Sequence, residues 1–149
     1  MRIAASDYER MRAWFALVVP RVFPLELLKP ETDPVVALDV IATRSMAKAR
    51  QGLAVAIGDL VEMASGVDES SIAALDVELS AAGLPAFAEA RALFSKGVQR
   101  VMRRGRIEDE DEHYAVRNAA EMPGADLEKL RALLGEYEVR LMSERGIKT

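Results

Sequence analysis

The sequence has no cysteine among its 149 residues. Disulfides, thiolate catalysis and cysteine-based zinc sites are therefore excluded, and the composition fits the cytoplasm. Histidine occurs once, as His113, so no site needing two histidines can form within one subunit. Aromatic residues make up only 5%, which leaves the core to aliphatic side chains with Ala and Met filling gaps. No apolar stretch reaches the ~18 residues of a membrane span, so no membrane association is expected. Asp7 and Glu9 precede a short apolar run, Ala13 to Val19. No small-residue cleavage site follows, so no secretory signal is expected. Strand-like alternation is missing, as are a G-x-S-x-G elbow and a phosphate-binding G-x-x-x-x-G-K-[ST] loop.

What is present is ordinary for a folded protein: 50% hydrophobic and 30% charged residues. These numbers argue against disorder. Ala-rich stretches at helical period predict an all-α fold, a single helical domain over 1–149, with five to six helices. Arginine outnumbers lysine by 15 to 5, and with the abundant alanine this suggests a GC-rich bacterial genome.

The net charge of −4 hides blocks. Residues 1–53 carry +2, 54–84 carry −6, 85–106 carry +5 and 107–149 carry −5. Opposite blocks can face each other within a fold or between subunits. The overall sign argues against general nucleic-acid binding.

The organising stretch is Asp33 to Gly66. Asp33 suits an N-cap and Pro34 the first helical position. Leu38, Ile41, Ala42, Ser45, Met46, Ala49, Leu53, Ala56, Ile57, Leu60, Val61 and Ala64 then recur three and four apart, which predicts one long central helix over about 34–64. Gly52 and Gly58 lie inside it. They read as points of close backbone approach, with a break near Gln51–Gly52 as the alternative.

Elsewhere, Tyr8, Met11, Trp14, Phe15 and Val18 predict a first amphipathic helix that Pro20 should end or kink. The connector to Asp33 holds Leu25, Leu27 and Leu28, expected as a lid over the core, with an exposed partner patch as the rival reading. Asp68 should cap a helix with Ile72, Leu75, Leu79 and Ala82 as its stripe. A further helix is expected from Pro85 to Arg104, stopped by Gly105, and another from about Asp109 to Glu121. A last helix is expected over about 125–145. Its Leu127, Leu130, Leu134, Tyr137 and Leu141 follow a 3,4,3,4 spacing, a candidate seam for self-association.

The charged corner within 85–121, Arg103-Arg-Gly-Arg-Ile-Glu-Asp-Glu-Asp-Glu-His113, carries three readings. The structural one places basic residues at a helix C-terminus and acidic residues at the next N-terminus, as helix dipoles favour. Asp109 and Glu112 then have capping-box spacing, with Glu112 reaching back to the Asp109 amide. The metal reading takes Glu110-x-x-His113 as half of a carboxylate-bundle motif. The other half would have to come from a second subunit. The nucleic-acid reading takes Lys96, Arg100, Arg103, Arg104 and Arg106 as phosphate contacts beside a helix-turn-helix-like turn. Five acids follow at once, and no aromatic is interleaved for base stacking. An acidic partner protein would suit the same arginines.

Catalytic candidates are thin. His113 and Tyr114 are neighbours, but a lone histidine in an acidic run reads as a solvated surface residue. No catalytic residue, metal or cofactor is expected. The leading expectation is a non-catalytic protein–protein interaction or regulatory module, possible as a homodimer. The alternative is a nucleic-acid-binding regulator using the basic segment 96–106. An enzyme built on His113 stands third.

Overall fold

A computed structural model describes residues 3–24, 26, 28–123 and 125–144. Among these the regular elements are all helical: α1 (Tyr8–Val22), α2 (Pro34–Arg44), α3 (Met46–Met63), α4 (Glu69–Ala81), α5 (Phe87–Phe94), α6 (Lys96–Arg104), α7 (Glu110–Ala120) and α8 (Leu127–Glu144), with 3-10 turns at Ala5–Asp7 and Ala64–Gly66. None of these helices is long and apolar enough to cross a membrane. The chain divides into two compact units, and the division falls inside α5 between Arg91 and Ala92.

In the unit ending at Arg91, α1 packs on α2, α3 and α4. Trp14 is fully buried and stacks on Phe87 at 6.0 Å between ring centroids. Its indole N–H donates to the Pro85 carbonyl at 3.0 Å, so the one polar atom of a large buried ring is satisfied. Asp76 of α4 accepts the Phe87 amide at 2.8 Å, supplying a side-chain acceptor to the start of α5 from another helix. Helix α4 closes with Gly83 at φ +71°, where Leu84 N–H reaches Leu79 O and Gly83 N–H reaches Ser80 O. Those are the two bonds of a Schellman motif, and its left-handed residue favours glycine.

Two expected helices are each two. The 34–64 segment breaks at Ser45, whose backbone is extended at φ −158°, ψ 111°. The Ser45 hydroxyl oxygen accepts the Lys48 amide at 3.2 Å, so it caps α3. The 85–104 segment breaks at Ser95 in the same way, with its hydroxyl accepting the Val98 amide at 3.2 Å. A serine in a helical stripe passes for a small core residue, yet its side chain offers the backbone an acceptor that favours a new start. Helix α3 itself runs unbroken through Gly52 and Gly58. A Cβ at Gly52 would meet no atom within 4 Å outside its own helix backbone, so among the described residues Gly52 is not a close approach.

Pro20 does not end α1. The helix continues to Val22, and the Phe23 amide closes it on Val19 O at 2.9 Å. Pro20 lies in the last turn and on the exposed side, so it removes one amide donor without disturbing the packed face. Beyond it, Arg21 forms a two-point pair with Glu78 of α4 at 2.6 and 3.2 Å. Leu25 and Leu27 of the proposed lid lie outside the described residues, and Leu28 is half-buried.

Local signals placed the other starts and stops. Asp33, Asp68 and Asp109 each cap the helix that follows them, and Gly105 ends α6 at φ +89°.

Candidate functional site

The charged corner lies in the unit that begins at Ala92, where α6 packs on α7 and α7 on α8. Its centre is a buried carboxylate. Glu112 is 2% exposed and is the one buried charged residue among those described. Arg104 donates to both its oxygens, at 2.8 and 3.2 Å, and Arg100 adds a longer bond at 3.4 Å. The Glu108 amide donates to the same carboxylate at 2.9 Å. The Arg104 bonds, followed by the Glu108 amide and Arg100, hold the Glu112 carboxyl at about 2, overriding the upward push of burial.

Sequence spacing sent Glu112 back to the Asp109 amide. The structure sends it one residue further, to Glu108, while the Asp109 carboxylate accepts the Glu112 amide at 2.8 Å. The shift follows from the arginines. A carboxylate drawn toward α6 meets the amide nearest that helix. Arg140 of α8 completes the corner by donating to the Ile107 carbonyl at 2.6 Å while paired with Glu136. Ile107 is fully buried in the middle of the turn.

The five nominated cations therefore have different situations. Arg100 and Arg104 are committed to Glu112, and Arg106 lies 3.5 Å from Glu108. Lys96 is exposed at the start of α6, and Arg103 projects outward from its last turn. Glu110, Asp111 and Glu112 occupy the first turn of α7, as the helix dipole favours.

His113 departs from the expected solvated residue. Its ring is half-buried and stacks on Tyr137 at 4.9 Å, with Tyr114 at 5.8 Å. Its Nε2 is enclosed and makes no hydrogen bond among the described residues. Glu138 stands 4.0 Å away. Among the described residues, no group of three His, Asp or Glu side chains is placed to hold a metal ion.

The leucine seam of α8 is largely turned inward. Leu130 and Tyr137 are buried, Leu134 and Leu141 are half-buried, and Leu127 is exposed. Leu133, outside the seam pattern, is buried too.

What the spacing did not reveal is the outer face of α2. Val36, Val40 and Ile41 are 41%, 52% and 39% exposed, and Leu38 is the helix's one buried residue. The signal was present in part: the segment is apolar on nearly every side, a pattern that belongs to a helix covered all round.

No protein-family model matches this chain, and no curated protein or solved structure is significantly similar to it.

Proposed function

We propose that this chain is a non-catalytic helical interaction protein, with regulatory use of its surface, and that α2 carries its partner-binding face. The supporting observation is the mismatch between what α2 is made of and what covers it. Val36 and Val40 stand one turn apart, and Ala37 and Ile41 form a second pair beside them. All four are exposed. An adjoining set of this kind marks an interaction surface more strongly than scattered single residues do. The partner that fits is another protein offering an apolar helix face, with little charge at the centre of the contact.

The alternative, a nucleic-acid-binding regulator, draws on Lys96, Arg103 and Arg106. It is weakened because Arg100 and Arg104 already neutralise a buried carboxylate and would have to leave it to reach phosphate. An enzyme around His113 remains third: among the described residues the imidazole has Tyr137, Tyr114 and Glu138 as neighbours, and its Nε2 makes no hydrogen bond with any of them.

The test is partner recovery followed by reconstitution. Protein retained from a cell extract is identified, purified and titrated against the wild type and a Val36→Glu, Val40→Glu variant. The proposal expects binding by the wild type and loss in the variant, whose circular dichroism should match the wild type because both positions are exposed. Equal binding by the two would remove α2 from the account.

A further inference from the structure

Helix α8 has a second apolar line opposite the one it buries. Leu130, Leu133 and Tyr137 face the core. Ala132, Gly135, Val139 and Met142 are all exposed, Val139 by 65% and Met142 by 40%. Their spacing is 3,4,3, the repeat of a helix-on-helix seam. Gly135 sits in mid-helix, where glycine costs about 1 kcal/mol relative to alanine. A Cβ there would meet nothing within 4 Å among the described residues outside its own helix backbone, so packing against them does not require glycine.

We propose that a second copy of this chain lies antiparallel on the outer face of α8, with the two-fold axis level with Tyr137. Two independent complementarities select this occupant and this direction. The first is size. Antiparallel pairing about that axis sets Ala132 against the partner's Met142, and Gly135 against the partner's Val139. Each small residue then receives a large one, and the glycine gives the valine room. A parallel pair would stack small on small and large on large, leaving voids beside crowded layers.

The second is charge. Arg131 and Glu138 flank the seam. Antiparallel pairing brings Arg131 to the partner's Glu138 and, by symmetry, repeats the contact. Both groups are available for it. Arg131 is exposed, and Glu138 faces the His113 Nε2 only at 4.0 Å. A parallel pair would instead send Arg131 to the partner's Glu136, a carboxylate that Arg140 already holds at 2.9 and 3.0 Å. Helix α8 has 18 residues, a length of about 27 Å. A contact between two such helices is small beside the ~1,000 Å² of stable complexes, so the dimer is reversible and concentration-dependent. It uses a different helix from the α2 face, and either can fail without the other.

The natural lack of cysteine makes the test clean. Under mild oxidation, a chain carrying both Ala132→Cys and Met142→Cys should give a covalent dimer, and the two single variants should cross-link only when mixed. Sedimentation equilibrium should show wild-type mass rising toward the dimer with concentration. Val139→Glu should stay monomeric with unchanged circular dichroism. Arg131→Glu or Glu138→Arg should each weaken the dimer several-fold, and the double reversal should restore it. Self-cross-linking of either single-cysteine variant would show a parallel pair and overturn the proposal. So would a wild type that stays monomeric at millimolar concentration, or a Val139→Glu chain that dimerises as before.

Discussion

The guanidinium of Arg104 grips the buried carboxylate of Glu112 with two hydrogen bonds, at 2.8 and 3.2 Å, across the turn that joins α6 to α7. This pair determines how the basic segment is read. An arginine that neutralises an enclosed acid belongs to the fold first. Removing one partner of a buried pair leaves an uncompensated charge, which costs more than the pair itself contributes.

Glu112→Gln should lower stability by roughly 2–3 kcal/mol, scaled from the displacement of its titration and reduced because both arginines reach solvent. The sign of the pH dependence follows. The folded carboxyl titrates at about 2, below the ~4.3 of an unfolded glutamate. The stabilisation is therefore complete above the unfolded value and is lost as pH falls through about 2. Urea melts between pH 7 and 2 should show this acid limb in the wild type and a shallower one in Glu112→Gln.

Arg100→Ala, Arg103→Ala and Arg104→Ala separate structural from surface arginines. Arg104→Ala should destabilise most of the three, because Glu112 stays buried without its two-point partner. Arg103→Ala should stay within about 0.5 kcal/mol. Thermal melts of the three single variants check the order. A loss of nucleic-acid binding in the triple variant is interpretable only beside those melts.

Ser45→Ala and Ser95→Ala should each cost about 1 kcal/mol, the usual value of a side-chain cap. Hydrogen exchange should quicken at the amide each serine holds, Lys48 and Val98 respectively. Unchanged exchange at both would mean that the two breaks do not depend on their caps.

Two glycines should answer a methyl group oppositely. Gly52→Ala should stabilise by roughly 0.5–1 kcal/mol, since the position is helical and open. Gly105→Ala should destabilise by about 1 kcal/mol, since its φ of +89° is left-handed. Chemical denaturation of the two variants checks both signs.

Much of the fold was legible in the sequence because its signals are local. Asp33, Asp68, Asp109 and Gly105 announce helix ends through chemistry that acts within four residues. The breaks at Ser45 and Ser95 were not legible, because the apolar period carries on across both and a serine suits a small core position as well as a cap. The corner was legible in its charges and not in its bonds. Which of five consecutive acids becomes buried depends on how the Gly105 turn sets α6 against α7. The histidine was misplaced for a related reason: only the arrangement of α7 and α8 brings Tyr137 over its ring. The α2 face lay hidden in the opposite way. Periodicity tells which residues are apolar, but a helix apolar on nearly every side does not say whether its cover comes from its own chain.

The central claim is that this chain acts through apolar helix faces while Arg100 and Arg104 of the α6–α7 corner serve the fold. It is tested most directly by molar mass from light scattering at low and high salt, with the 260/280 nm absorbance ratio of the same peak. The account predicts a peak free of nucleic acid whose association, at a given concentration, weakens at high salt by no more than loss of the Arg131–Glu138 pairs would weaken it. A peak that carries nucleic acid at low salt and sheds it at high salt would contradict it and give the site to Lys96, Arg103 and Arg106.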